Sequence, residues 1–153
     1  MASDIIEIFY SYSHKDEGLR DELEKHLSIL KRQGVIDNWH DRGIGAGTEW
    51  EGQIDDHINS AKIILLLVSS DFLASNYCYD LEMTRAMERH DAGEACVIPI
   101  ALRFCDWKGA PFEKLQGLPK DMKPVKNWTD PDEAFTDIAK GIRQAVNRIK
   151  ANP

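Results

Sequence analysis

The chain has 153 residues, 42% of them hydrophobic, and a formal net charge of -7 at pH 7. That is enough chain to bury one core without metal or disulfide help, and the acidic balance argues against a phosphate-backbone partner such as nucleic acid. The opening MASDIIEIFY lacks the basic start of a signal peptide, and no apolar run approaches the about 20 residues that span a bilayer, so no membrane association is expected. Cys78, Cys96 and Cys105 are odd in number and lack CxxC spacing, which fits a reduced, cytoplasmic protein with the thiols acting as small hydrophobes.

In chain order, Ile5 to Tyr10 is apolar and aromatic and reads as a first strand, followed by the polar loop Ser11 to His14. Lys15 to Arg32 carries Leu19, Leu23, Leu27 and Leu30 on one helical face and ends at Gly34. Val35 to Trp39 predicts a short second strand. His40 to Thr48, HDRGIGAGT, holds Gly43, Gly45 and Gly47 and predicts a mobile loop. Trp50, Ile54, His57 and Ile58 give a short helical stripe before the central element, Ile63 to Val68, an unbroken branched apolar run expected to be a strand buried on both faces.

Ser69, Ser70 and Asp71 read as a polar loop, and Ser75 or Asn76 as the cap of a helix running to about His90. Tyr79, Met83, Ala86 and Met87 form its buried stripe, with Glu82 on the flank. Ala95 to Ala101 predicts a fourth strand that Pro99 pushes toward an edge or a bulge. Gly109, Pro111, Gly117 and Pro119 predict an irregular stretch with one short helix, and Pro124 to Trp128 a short fifth strand. Asp130, Pro131 and Glu133 stand at the cap, first and third positions of a terminal helix whose stripe is Phe135, Ile138, Ala139, Ile142, Val146 and Ile149.

Alternating strands and helices predict an α/β, flavodoxin-like, doubly wound sheet of about five parallel strands, forming one domain over residues 1–150. Residues 151–153 read as a tail leading to further domains of a longer protein. Such sheets bind ligands beyond the carboxyl ends of their strands. Ser11 to His14, His40 to Thr48, Ser69 to Asn76 and the start of the Glu82 helix gather there.

Three segments in order carry a family resemblance: IFYSYSHKD, WHDRGIGAG, and LLLVSSDFLASNYC followed by Glu82. Together they resemble the Toll/interleukin receptor (TIR) domain, particularly its bacterial members, over nearly the whole chain. The first is similar to the family's first strand and loop, the second to its BB loop, the third to the segment preceding its catalytic glutamate. The resemblance implies the TIR fold and either of two functions. One is assembly-dependent cleavage of NAD+ between nicotinamide and ribose, giving ADP-ribose or a cyclised product in bacterial defence or immune signalling. The other is a non-catalytic TIR-TIR module that signals by self-association.

For the enzyme, the resemblance implies Glu82 as catalytic residue and no cofactor, NAD+ being the substrate. The substrate contacts it implies are Ser11, Tyr12, Ser13, Arg42, Ile44, Gly45, Trp50, Tyr77 and Cys78, and the protein partners other TIR domains in homo-oligomers. Many members place an aromatic residue four positions before the glutamate, where this chain has Cys78 between Tyr77 and Tyr79. The chemistry suits a lone carboxylate: nicotinamide leaves as a neutral molecule, and what needs stabilising is an oxocarbenium-like ribose. Backbone donors from Gly43 to Gly47, the hydroxyls of Ser11 and Ser13, and Arg42 are candidates for the pyrophosphate, and Tyr12 and Trp50 offer flat faces for a ring. Against this stands the ordinary reading of Glu82 as a solvated helix residue paired with Arg85. No HExxH, GxSxG, GxGxxG or GxxxxGK[ST] pattern competes, so no metal site, serine hydrolase or nucleotide-binding loop of those kinds is expected. A third, weaker option is a nucleoside-transferring enzyme whose glutamate attacks the sugar.

Overall fold

The computed structural model describes residues 5–40 and 57–151. Its centre is a parallel sheet of β1 (Ile6–Ser11), β2 (Ile36–His40), β3 (Ile63–Val68) and β4 (Cys96–Ala101) in the order β2-β1-β3-β4. The register sets Ile6 opposite Ile36, Ser11 opposite Leu66, and Val68 opposite Ala101. All six residues of β3 are buried, because a parallel sheet is covered on both faces.

Side-chain alternation divides the core in two. Ile6, Ile8, Tyr10, Ile63, Leu65 and Leu67 pack under α1 (Glu17–His26), α2 (Ser28–Arg32) and α6 (Pro131–Ala151). Phe9, Ile64, Leu66 and Val68 pack under α3 (His57–Ser60), α4 (Ser70–Ala74), a π-helical segment (Asn76–Met83) and α5 (Thr84–Asp91). Helix α2 ends as its sequence requires: Gly34 turns at φ +70°, its N–H reaches the Lys31 carbonyl, and the Val35 N–H reaches the Leu30 carbonyl. Asp130 caps α6 by accepting from the Asp132 N–H at 3.0 Å. On the second face the buried Arg89 guanidinium donates to the carbonyls of Ile58, Ala61 and Glu94, tying α5 to the entrances of β3 and β4. Among the described residues no helix is long and apolar enough to cross a membrane.

Four expectations are corrected. The Lys15 to Arg32 helix is a 3-10 turn (His14–Asp16) followed by α1 and α2, separated at Leu27, whose N–H is shared between the Leu23 and Glu24 carbonyls while its side chain stays in the core. The polar loop after β3 is instead the short α4, because the Ser69 hydroxyl accepts from the Phe72 N–H at 3.1 Å and Phe72 is buried, edge-on to Phe112. The fifth strand is absent among the described residues: Val125–Asn127 is a 3-10 turn that starts from Pro124.

In its place Leu118 makes a single bridge to β4, its N–H donating to the Pro99 carbonyl and its carbonyl accepting from Ala101, and the following Pro119 has no N–H with which to continue. Pro99 thus turns its missing donor toward this outer edge. Leu118 sits so close to α6 that a Cβ on Gly141 would lie 2.6 Å from it. The fourth correction concerns the ordinary reading of Glu82 as a solvated helix residue: Glu82 is buried.

Tyr10 is fully buried between sheet and helices, and its hydroxyl finds no hydrogen-bond partner among the described residues. Burial pushes the phenol pKa far up, the Glu24 charge adds to the effect and Arg20 opposes it. A raised folded-state pKa leaves stability intact below the ordinary value of about 10 and removes it as pH rises beyond. Tyr10→Phe is therefore expected to be within about 1 kcal/mol of wild type at pH 7 and, in urea unfolding at increasing pH above 10, to become the more stable protein.

Candidate functional site

β1 and β3 lie side by side at the sheet centre, and the chain leaves them in opposite directions, β1 toward β2 and β3 toward β4. Their carboxyl ends are the switch point of the sheet. Two serines stand there, Ser11 closing β1 and Ser69 just past β3, both fully buried. Each takes a carboxylate from the connection that follows the other strand. Ser11 Oγ donates to Glu82 Oε1 at 2.7 Å, and Ser69 Oγ donates to Asp16 Oδ2. The result is a reciprocal clasp across the two strands.

Local structure explains how Glu82 arrives. Ser75 caps the segment by accepting from the Cys78 N–H at 3.1 Å, and the following turns are π-helical, with i→i+5 bonding that widens the helix. Cys78, Glu82 and Met83 are all buried against the sheet as a result. The Cys78 thiol donates to the Tyr12 carbonyl at 3.2 Å, beside the Ser11 contact. Arg85, the partner expected for Glu82 on a solvated helix, instead engages Asn59 and Glu88.

Asp16 is 1% exposed and is met on its other oxygen by Arg103 Nε at 2.8 Å, and Arg103 Nη2 reaches Asp71 in α4. Burial works against the Arg103 charge, but hydrogen bonds to Asp71 and Asp16 outweigh it and raise its pKa. The loops after β1, β3 and β4 are thus joined through one guanidinium. Reading the sequence singled out neither Arg103 nor the Ser69–Asp16 contact. The available signal was a basic residue two positions past β4, facing acidic residues that follow neighbouring strands.

The remaining expected site residues fall in four groups. Ser13 caps the 3-10 turn, accepting from the Lys15 N–H at 3.2 Å. Tyr12 is buried with the α1 and α6 core, with Arg20 5.3 Å above its ring, so its backbone rather than its ring faces the Glu82 helix. Tyr77 belongs to the π-helical segment. Arg42, Ile44, Gly45 and Trp50, with the loop His40 to Thr48 beyond its first residue, lie outside the described residues. None of the three cysteines is in a disulfide, and burial raises the pKa of Cys96 and Cys105. Surface cavities of about 480 and 290 Å³ flank Trp107 past β4, and neither is lined by Ser11 or Glu82.

Residues 8–145 match the TIR domain family model. The chain belongs to the TIR domain family. A Sinorhizobium fredii protein described as the uncharacterized protein y4lF is 65% identical over 142 residues, which make up 93% of this chain and 44% of that protein; the chain thus spans less than half the length of this relative. The TIR domain of the Toll-related receptor TRR-2 from Hydra magnipapillata superposes with a TM-score of 0.61 at 18% identity, covering 92% of this chain and 97% of that one. TIR domains from the activated Roq1 resistosome, which directly recognizes the pathogen effector XopQ, match with a TM-score of 0.50 at 19% identity, over 88% of this chain and 84% of theirs. At such identities the two structures share the fold with this TIR domain, a parallel sheet flanked by helices.

Removing Arg103 would leave the buried Asp16 carboxylate with only its serine. Because the Arg103 side chain is 32% exposed, Arg103→Ala is expected to cost about 2–3 kcal/mol, below the span for a fully buried pair. Arg103→Lys should recover only part of that in urea unfolding, since one ammonium cannot reproduce the guanidinium fork between two carboxylates.

Proposed function

We propose that this TIR domain is an NAD+ glycohydrolase, with ADP-ribosyl cyclisation as a second outcome, that acts in the cytoplasm on self-association as part of bacterial defence signalling. Glu82 is its catalytic carboxylate, and NAD+ is its substrate, with no resident cofactor. The observation that supports this best is a carboxylate seated at the switch point of a doubly wound sheet, held by the last residue of β1.

In this reading the bond between ribose C1′ and the nicotinamide nitrogen breaks with its electron pair departing on neutral nicotinamide. The cationic ribose is stabilised by the Glu82 charge, in a water-poor setting where such a charge acts strongly. Water then adds to C1′ and gives up a proton, yielding ADP-ribose; capture by a nucleophile within the same molecule yields the cyclic product. Ser11, Tyr12 and Cys78 belong to the ground nearest the carboxylate, and Ser13, Arg42, Ile44, Gly45, Trp50 and Tyr77 are the further contacts assigned to NAD+.

Glu82 has no exposed surface, so substrate reaches it only if its surroundings move. Turnover is accordingly assigned to assembled copies rather than to a dilute protomer, a view supported by the neighbouring fold's occurrence in an activated resistosome. The same burial favours the second reading, a non-catalytic TIR-TIR module in which Glu82 only closes the clasp.

Nicotinamide release from NAD+ by concentrated or crowded protein separates the two. Wild type is expected to release nicotinamide more than in proportion to its concentration. Glu82→Ala, and the better-tolerated Glu82→Gln, should lose at least about 100-fold while keeping their circular dichroism. Absence of release at concentrations where association is demonstrated would establish the interaction module instead.

A further inference from the structure

We propose that Ser11 is a positioning residue for Glu82, its hydroxyl committed to the carboxylate rather than to substrate. This rests on the reading of Glu82 as the catalytic group.

A serine hydroxyl has one proton to donate. Here it goes to Glu82 Oε1 at 2.7 Å, with both residues fully buried. A hydrogen bond to an ionised group away from water is among the stronger ones a protein makes, and it fixes the rotation of the carboxylate as well as its place. The two ends of the bond are not equally free to move. Ser11 belongs to a strand with hydrogen-bonded neighbours on both sides, β2 and β3, whereas Glu82 belongs to a π-helical segment, a less regular backbone. Positional information therefore runs from strand to helix.

A second tie makes the arrangement directional. The Cys78 thiol grips the carbonyl of Tyr12, the residue after Ser11, from one turn earlier in the same segment as Glu82. Residues 11 and 12 thus hold residues 82 and 78, and the carboxylate is oriented from two adjacent points. A donor to substrate pyrophosphate or ribose would need its proton free, and this geometry assigns the Ser11 proton elsewhere.

The test uses the 153-residue chain, with nicotinamide release measured under assembling conditions for wild type, Ser11→Ala and Ser11→Thr, each checked by circular dichroism. Loss of the hydroxyl is expected to lower kcat by about 10- to 100-fold, the span for one hydrogen bond to a buried charged group, with KM within about twofold. Threonine, which keeps the hydroxyl, should restore most of kcat; if its extra methyl prevents folding, Ser11→Cys, a weaker donor, should fall between alanine and wild type. A rise in KM at unchanged kcat would overturn the proposal and make Ser11 a substrate contact.

A readout independent of turnover is the side-chain carboxyl carbon resonance of Glu82 in protein labelled with 13C-glutamate, assigned by its absence in Glu82→Gln. It should move in Ser11→Ala and return in Ser11→Thr. An unmoved resonance would refute the clasp, whatever the activity. A moved resonance in a protein that never releases nicotinamide would uphold the clasp and refute only the enzymatic reading.

Discussion

A carboxylate taken out of water must be met by donors, and at the centre of this TIR domain two are taken out together. Asp16 and Glu82 lie at the carboxyl ends of β1 and β3, each accepting a hydrogen bond on one oxygen from a serine at the opposite strand's end. The loops could not separate without stranding a charge in a place too dry to tolerate it. Arg103 extends the constraint to the connection after β4. The apolar layers above and below the sheet supply most of the burial, but they are indifferent to how the loops are arranged. The crossed serine–carboxylate contacts specify that arrangement.

Most of the architecture was legible because it depends on periodicity. The six-residue run of β3 could only be a two-sided strand, the leucine stripe of α1 and α2 and the isoleucine stripe of α6 had one face to bury, and Pro99 marked β4 as an edge. What was missed depends on local hydrogen bonds that no period encodes. Ser69, one hydroxyl capping Phe72 while serving Asp16, turns an apparent loop into α4. From Pro124 the chain coils into the 3-10 turn Val125–Asn127 where composition offered a fifth strand. Glu82 itself was found by its resemblance to a family motif. Its burial was not read, although it lies four residues before the buried Ala86, because a glutamate near an arginine at helical spacing has an ordinary solvated explanation.

The π-helical turn links the fold to the proposed chemistry. An α-helix through residues 76–83 would keep the buried stripe of α5 in strict register with what precedes it. The wider turn lets Cys78 meet the Tyr12 carbonyl and Glu82 meet Ser11 while Met83, Ala86 and Met87 stay packed on the sheet. The cost is weaker backbone geometry in that segment, offset by ties to the end of β1, a strand paired on both sides.

The order of the sheet also governs how the chain comes together in time. β3 is hydrogen-bonded on one side to a strand about fifty residues earlier and on the other to one about thirty residues later, so its pairing waits on long-range closure, slow for a domain of this size. Until both neighbours arrive, Ile63 to Val68 is an uncharged, proline-free, wholly apolar hexapeptide with open edges, the composition that seeds aggregation. A domain proposed to work by crowding copies together therefore carries its greatest hazard during synthesis, when crowding of unfinished chains would join the same strands in the wrong partnership.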